Sequence, residues 1–188
     1  MVKTQVVALN RLKPTRTISG VVPVAIMVEP VACPFSCTYC PGGKNTNTPK
    51  SYLPDSPVVL RAAPLKYDPY RQVVARIKQY EALHHPVSKV ELIVMGGTVT
   101  SLPESYLEWF VGNAFRAVND YPFITGSIEH PDIEYEHRRN ERARIRVVAL
   151  ELETRPDFAR PKHINMMLRL GFTRVEIGVQ SIYDDVLK

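Results

Sequence analysis

All three cysteines of this 188-residue chain fall in one short stretch, Glu29-Pro30-Val31-Ala32-Cys33-Pro34-Phe35-Ser36-Cys37-Thr38-Tyr39-Cys40-Pro41-Gly42-Gly43. Cys33, Cys37 and Cys40 are spaced C-x3-C-x2-C. Thiolates are ligands for soft metals and iron–sulfur clusters. A structural zinc site closes with four ligands, and a [4Fe–4S] cluster usually takes four thiolates. Three thiolates on one loop would hold three irons and leave the fourth open to a substrate or cofactor. Pro34, Pro41 and the Gly42-Gly43 pair keep the loop out of helix and strand, so it can wrap a compact cluster. Two plainer readings stand beside this one. One is zinc completed by a histidine such as His84 or His85. The other is three unligated thiols, which the clustering of every cysteine in the chain argues against.

Such a loop needs a scaffold, and the chain supplies strand, loop and helix in alternation. Val21–Val28 is apolar and β-branched and ends at Glu29-Pro30, so it reads as a first strand that feeds the cysteine loop. Residues 41–67 are rich in Pro, Gly, Asn and Ser and read as a long loop. Asp68-Pro69 opens a helix, with Tyr70, Val73, Val74, Ile77 and Tyr80 at helical spacing. His84-His85-Pro86 ends it, and both histidines suit a helix C-terminus better than a metal. Lys89–Met95 is a second strand, followed by Gly96-Gly97-Thr98. Pro103-Glu104 opens a second helix, with Leu107, Phe110, Val111, Ala114, Phe115 and Val118 as its core stripe. Residues 119–146 read as irregular and then as a charged, solvated segment, with Glu134 and Arg138 at i,i+4. Arg146–Thr154 is a third strand. Asp157–Leu170 includes a helix stopped by Gly171, and Thr173–Val179 is a fourth strand.

The order βαβαβαβ implies a parallel sheet with right-handed crossovers. Ligands sit beyond the C-terminal ends of such strands. Those ends carry the cysteine loop, Gly96-Gly97-Thr98, Thr154-Arg155-Pro156 and Gln180-Ser181, so four strand ends converge on one site. Alternation puts Leu150 and Leu152 opposite Glu151 and Glu153, and Val175, Ile177 and Val179 opposite Glu176, Gly178 and Gln180. The acids on the face away from the helices then line a barrel interior, where buried carboxylates need partners. Glu153 and Gln180, near the strand tops, are read as ligand contacts, with Arg155, or a cofactor's hydroxyl and ammonium groups, as partners for the acids.

The bulk numbers fit this scaffold. The chain is long enough for one domain that buries about 70% of its surface on folding. An apolar content of 45% and a charged content of 23% are those of a soluble globular protein. No apolar run has the length of a membrane span, and there is no signal-peptide core. Clustered cysteines do not make a disulfide framework, so the chain reads as cytoplasmic. The net charge of +5 is partly local, because Lys3, Arg11, Lys13 and Arg16 precede the first acid, Glu29. Residues 1–20 thus form a basic arm suited to nucleic-acid phosphates, or an ordinary solvated terminus.

The cysteine spacing, with Tyr39 just before the last cysteine, resembles the radical S-adenosylmethionine (SAM) enzymes, in which the open iron chelates SAM. Further stretches extend the resemblance: Lys13-Pro-Thr-Arg-Thr-Ile-Ser-Gly20, Cys40-Pro-Gly-Gly43, Tyr67-Asp-Pro-Tyr70, Lys89-Val-Glu-Leu-Ile-Val-Met-Gly-Gly-Thr98, Leu102-Pro-Glu-Ser-Tyr106, Glu153-Thr-Arg-Pro-Asp157 and Arg174-Val-Glu-Ile-Gly-Val-Gln-Ser181. In this order they are similar to the catalytic subunit family of Elongator, in an archaeal form, from about Lys13 onward. The resemblance implies a partial TIM-like (β/α) barrel of which residues 21–188 hold about the first four strands. It implies a [4Fe–4S] cluster, SAM and acetyl-CoA as cofactors and co-substrate, and tRNA as partner. The implied reaction gives 5-carboxymethyluridine at the wobble position: a 5′-deoxyadenosyl radical takes hydrogen from the acetyl methyl group, and the carbon radical adds to the base.

Position by position, the resemblance makes Cys33, Cys37 and Cys40 the cluster ligands and Tyr39 the aromatic beside the SAM adenine. Gly96, Gly97 and Thr98 match the loop that receives the SAM amino group, and Lys89 matches a lysine associated with acetyl-CoA. Three departures set expectations of their own. The first two cysteines are closer together than is common in the family, the tRNA-binding region is a short arm, and no acetyltransferase domain is seen. Activity is therefore expected to need a chain that supplies the rest of the barrel and that domain. The competing expectations are a non-catalytic RNA-binding module with a zinc or iron–sulfur knuckle, and a non-functional fragment.

Overall fold

Four runs of β-branched and aliphatic residues become four parallel strands in the computed structural model, which describes residues 14–35, 37–41 and 46–187. Lys3, Arg11, Lys13 and the Gly42-Gly43 pair lie outside the described residues. The strands are β1 (Val22–Met27), β2 (Lys89–Met95), β3 (Arg146–Thr154) and β4 (Arg174–Ile177), side by side in that order. Between β1 and β2 run α1 (Pro57–Ala62) and α2 (Pro69–Ala82); between β2 and β3 run α3 (Glu104–Asp120) and α4 (Ile133–Asn140). α5 (Pro161–Arg169) links β3 to β4, and a short α6 (Asp184–Leu187) follows. All pairings are parallel, so the fold is the opening part of a TIM-like barrel.

The pleat sorts the strand residues as their alternation requires. Val24, Leu92 and Leu150 sit in register across three strands and are buried against α2 and α3. The next residues along, Glu91, Glu151 and Glu153, turn to the other face and are half-buried. There Arg174 bridges two strands, pairing with Glu91 and, at 3.3 Å, with Glu151. α1 covers the β1 end of this face, where Val58, Val59 and Ala62 pack on Met27 and Tyr67.

α1 was not expected, because 41–67 reads as loop. Its helix-start signal, Ser56-Pro57 ahead of Val58, Val59 and Ala62, is submerged in Pro- and Ser-rich surroundings. Proline opens α2 as expected, with the Asp68 carboxylate accepting the Arg71 N–H at 2.8 Å. β4 is shorter than the run Thr173–Val179 and exposed along its length. No described strand pairs with its far side.

The free edge of β1 is managed by α2. Gln72 both accepts from the Met27 N–H at 2.8 Å and donates to the Met27 carbonyl at 2.9 Å. The Tyr80 hydroxyl donates to the Pro23 carbonyl at 3.0 Å, and Pro23 has no N–H to offer. An edge blocked in this way resists pairing with another strand.

The charged segment after α3 also departs from expectation. Glu134 and Arg138 do pair on the surface, at 3.4 Å. Glu136, however, is 2% exposed. Its carboxylate meets Arg139 at 2.8 Å and Asn119 at 2.8 Å, while Arg139 also reaches Asp120 at 2.8 Å. Arg116 lies 3.6 Å from Asp120 and 3.7 Å from Glu136. α4 therefore docks on α3 through a buried charge network, where a solvated face was expected.

Candidate metal and cofactor site

The loop after β1 brings Cys33, Cys37 and Cys40 to the C-terminal ends of the strands, each half-buried and none in a disulfide. The three thiols open onto one cavity, together with Tyr39, Gly97, Thr98, Arg155 and Gln180. Eight residues expected at the site thus line a single space. Glu153 lies behind the lining, bonded to the Gly96 and Gly97 N–H groups. Gly96 lines an adjoining recess with Cys33, Lys50 and Thr98.

Arg155 ties the cysteine loop to the sheet. Its Nη1 donates to Cys37 Sγ at 3.0 Å, and its Nε and Nη2 grip Asp157 at 3.0 and 3.1 Å. The guanidinium also lies 3.7 Å from the centre of the Phe35 ring, and Phe35 packs edge-on against Phe158. Hydrogen bonds to Asp157 hold Arg155 above its ordinary pKa, and the same bonds hold the Asp157 carboxyl below its own. On the other side of the loop, the Ser51 N–H donates to Cys40 Sγ at 3.1 Å. Lys50 donates to the Phe35 carbonyl at 3.4 Å.

Glu153 holds the glycine loop. Its Oε1 accepts from the N–H groups of Gly96 and, at 2.7 Å, Gly97. The Tyr52 hydroxyl donates to both carboxylate oxygens, at 2.7 and 2.8 Å. Burial, and then the Glu153 charge, push the Tyr52 phenol well above its ordinary range, so it stays a donor. The glycines are required by space. A Cβ on Gly97 would sit 2.7 Å from the Lys50 carbonyl oxygen, at a backbone φ of +77° that side chains disfavour. On Gly96 a Cβ would meet Val28 at 2.3 Å.

Two expectations separate from this cluster. Lys89 begins β2, at the opposite end of the strand, and lines a depression with His137, Asn140 and Arg146. Zinc completed by a histidine does not fit. His85 is buried, its Nδ1 engaged with the Thr17 hydroxyl at 2.8 Å and its ring edge-on to Tyr80, and His84 is exposed beside it. Among the described residues no three His, Cys, Asp or Glu side chains stand close enough together to form a finished metal cage. The thiols share a cavity without converging.

The donor set nevertheless fits an iron–sulfur cluster. It is all sulfur, it sits on an irregular loop beside free space, and two of the sulfurs already accept N–H hydrogen bonds of the kind that tune such clusters. Tyr52, Ser51 and Phe35 belong to the site and went unread in the sequence. Tyr52 had one signal, as a large aromatic in a polar stretch.

A parallel partial barrel with a three-cysteine loop at its strand tops defines the class. The family described as the radical SAM superfamily matches residues 30–188. The chain belongs to the radical SAM superfamily. It is 44% identical over 190 residues to the tRNA uridine(34) acetyltransferase of Methanocaldococcus infernus, covering 99% of this chain and 34% of that protein. It is 41% identical to Elongator complex protein 3 of Schizosaccharomyces pombe, covering 95% of this chain and 33% of that one. A solved structure of the archaeal Methanocaldococcus infernus Elp3 with residues 1–46 deleted superposes with a TM-score of 0.64 at 36% identity, over 88% of this chain and 30% of that one. The chain spans about a third of the length of these curated relatives.

Proposed function

We propose that this chain is the front part of a radical SAM enzyme that converts the tRNA wobble uridine to 5-carboxymethyluridine, with SAM and acetyl-CoA as co-substrates. The observation that carries the reading is the opening of Cys33, Cys37 and Cys40 onto one cavity with Gly97, Thr98, Arg155 and Gln180. The similarity to tRNA uridine(34) acetyltransferases along nearly the whole chain supports the substrate. A [4Fe–4S] cluster bound there, with SAM on its open iron, would supply one-electron chemistry.

The chain's own residues have distinct tasks in this reading. Cys33, Cys37 and Cys40 would hold the cluster through their thiolates. Arg155 and Ser51 place N–H donors on two of the sulfurs, contacts of the kind that tune a bound cluster. Gly96, Gly97 and Thr98 let backbone approach the amino-acid part of SAM, on a loop held by Glu153. Tyr39, 61% exposed at the cavity mouth, offers its ring to the adenine. Gln180 adds a carboxamide from the β4 side. Acetyl-CoA would be met on a separate surface, near Lys89.

Residues 1–20 act as a basic arm toward tRNA, and residues 21–188 as a partial radical SAM domain. A second polypeptide, or further chain, supplies the remaining strands and an acetyltransferase domain. No described helix is long and apolar enough to cross a membrane, and the proposed place of action is the cytoplasm, with tRNA.

The test is anaerobic reconstitution with iron and sulfide. The chain should develop iron–sulfur absorbance that responds to SAM, and each of Cys33→Ala, Cys37→Ala and Cys40→Ala should abolish it. Carboxymethylation of tRNA should appear only when the missing half-barrel and acetyltransferase domain are added. Stoichiometric zinc with no iron–sulfur absorbance would overturn the reading.

A further inference from the structure

Along the free edge of β1, a cleft with about 900 Å³ of free space opens between α1 and α2. Its lining includes Arg61, Arg76 and Lys78, with Leu65 and Ala75 between them and Gln72 at the strand. Arg61 and Arg76 are half-buried. Arg76 hydrogen-bonds Gln79 and, at 2.8 Å, the Tyr80 hydroxyl, and its guanidinium lies 4.2 Å from the Tyr80 ring centre. Its Nε is buried with no hydrogen-bond partner. Arg16 adds a third guanidinium, on a turn pinned by the bond from the buried Thr17 hydroxyl to His85.

The arrangement is unlike the rest of the molecule. The other half-buried arginines among the described residues, Arg116, Arg139 and Arg155, each face a carboxylate. Arg16, Arg61, Arg76 and Lys78 have no ion pair among the described residues. Residues 1–13 and 42–45 contain no Asp or Glu, so those segments bring no side-chain carboxylate either. Burial first, then repulsion from Arg76 and Arg16, lowers the Arg61 pKa. Cations held in partial burial without an anion are costly unless a ligand supplies one.

We propose that this cleft is a phosphate-binding site and that its occupant is the phosphodiester backbone of an RNA. Guanidinium forks match phosphate oxygens in pairs. The cleft is roomier than a single phosphate needs, and Leu65 and Ala75 add apolar lining for sugar or base. In sequence Arg16 is preceded by Lys3, Arg11 and Lys13, with no acid among them. The choice of RNA rests on the tRNA-directed function proposed above; the phosphate site does not.

The test uses the full 188-residue chain. A fluorescein-labelled RNA hairpin is titrated by anisotropy at several salt concentrations, and tripolyphosphate by calorimetry. Arg61→Gln is the main variant, because Arg61 makes no described hydrogen bond that folding would miss; Lys78→Gln, on the exposed side of α2, is the second. Each should bind the hairpin several-fold more weakly, and each lost phosphate contact should flatten the log–log salt slope by about 0.7 to 0.9. Circular dichroism melts should match wild type. Tripolyphosphate binding that is lost in Arg61→Gln while hairpin binding holds would keep the phosphate site and overturn RNA as its occupant. Unchanged binding of both probes overturns the proposal outright. Cluster formation does not enter the readout, so a chain that never binds iron can still pass or fail.

Discussion

Two carboxylate networks in this molecule are built on different plans. The first joins α3 and α4, where Asp120 and Glu136 meet Arg116 and Arg139. Two anions face two cations, and side chains of Asn119, Thr125 and Tyr70 take up further lone pairs. The second surrounds Glu153. No ion pair among the described residues includes it, and its partners are two backbone N–H groups and one phenol. Across the ladder it faces another acid, Glu176. The first network is closed and holds two helices together. The second compensates its charge with dipoles alone, and what it holds is a loop at the edge of an open cavity. A charge-balanced network serves folding; a carboxylate spent on orienting backbone beside free space serves a site.

The largest expected effect breaks the closed network. Glu136→Ala removes one anion and leaves Arg139 and Arg116 sharing Asp120 in a buried place. Removing one partner of a buried pair costs about 3 to 5 kcal/mol. For a domain of this size each kcal/mol lowers the melting temperature by about 2 to 4 °C. Thermal unfolding should therefore shift down by about 6 to 20 °C, with iron–sulfur absorbance per folded chain unchanged. A melting temperature equal to wild type would mean that the network is dispensable and the contrast empty.

Glu153→Gln sharpens the comparison from the other side. Glutamine keeps one oxygen acceptor and adds an NH2 that must face the glycine N–H groups or Tyr52. Hydrogen bonds to charged groups are worth about 1.5 to 3 kcal/mol, and part of this is retained. The stability loss should be smaller than for Glu136→Ala. Iron content should stay at three-cysteine levels while the spectral response to SAM needs several-fold more SAM. Glu153 would then be a positioning residue acting through Gly96 and Gly97. A Glu153→Gln protein with wild-type SAM response, or with the melting loss of Glu136→Ala, dissolves the distinction between the two networks.

The contrast also explains what could be read from the sequence. β2 and β3 were legible to the residue, because short apolar runs rich in Val, Ile and Leu, bounded by turn residues, read as strands. The α3 stripe from Leu107 to Val118 was legible from its helical spacing. The meeting of the cysteine loop with Gly97, Thr98, Arg155 and Gln180 was legible, because ligand sites gather at the C-terminal ends of parallel strands. The loop's anchorage was not: Arg155 reaches Cys37 across 118 positions, and only the fold makes them neighbours. Glu136 misled because charge alternation looks the same on a solvated helix and on one whose cations fold back onto the preceding helix. α1 was hidden by its own brevity, with six residues inside a turn-rich stretch. The placement of Lys89 away from the cysteine cavity follows from strand polarity, which the family resemblance alone does not convey.

The smallest expected effect is in acid, and it tests whether Asp120 belongs to the closed network. Burial alone would raise its carboxyl pKa, but hydrogen bonds from Thr125, Arg139 and Tyr70 and the charge of Arg116 overcome that and hold it below the ordinary value. The unfolded chain binds this proton near the ordinary carboxylate pKa of about 3.9. A carboxyl depressed on folding contributes stability that is present above that value and is lost as pH falls through the folded value. Asp120→Asn removes the contribution at every pH. Urea midpoints of wild type and Asp120→Asn should therefore be well separated at pH 6 and should approach each other below about pH 4, as wild-type Asp120 takes up its proton. Glu81→Gln is the control: it removes a half-exposed acid that pairs with Arg144 at 3.6 Å outside the network. A gap between wild type and Asp120→Asn that stays constant down to pH 3 would show that the carboxylate charge does not hold α3 to α4 and that neutral contacts suffice, such as the bond from Asn140 Nδ2 to Asn119 Oδ1 at 2.7 Å.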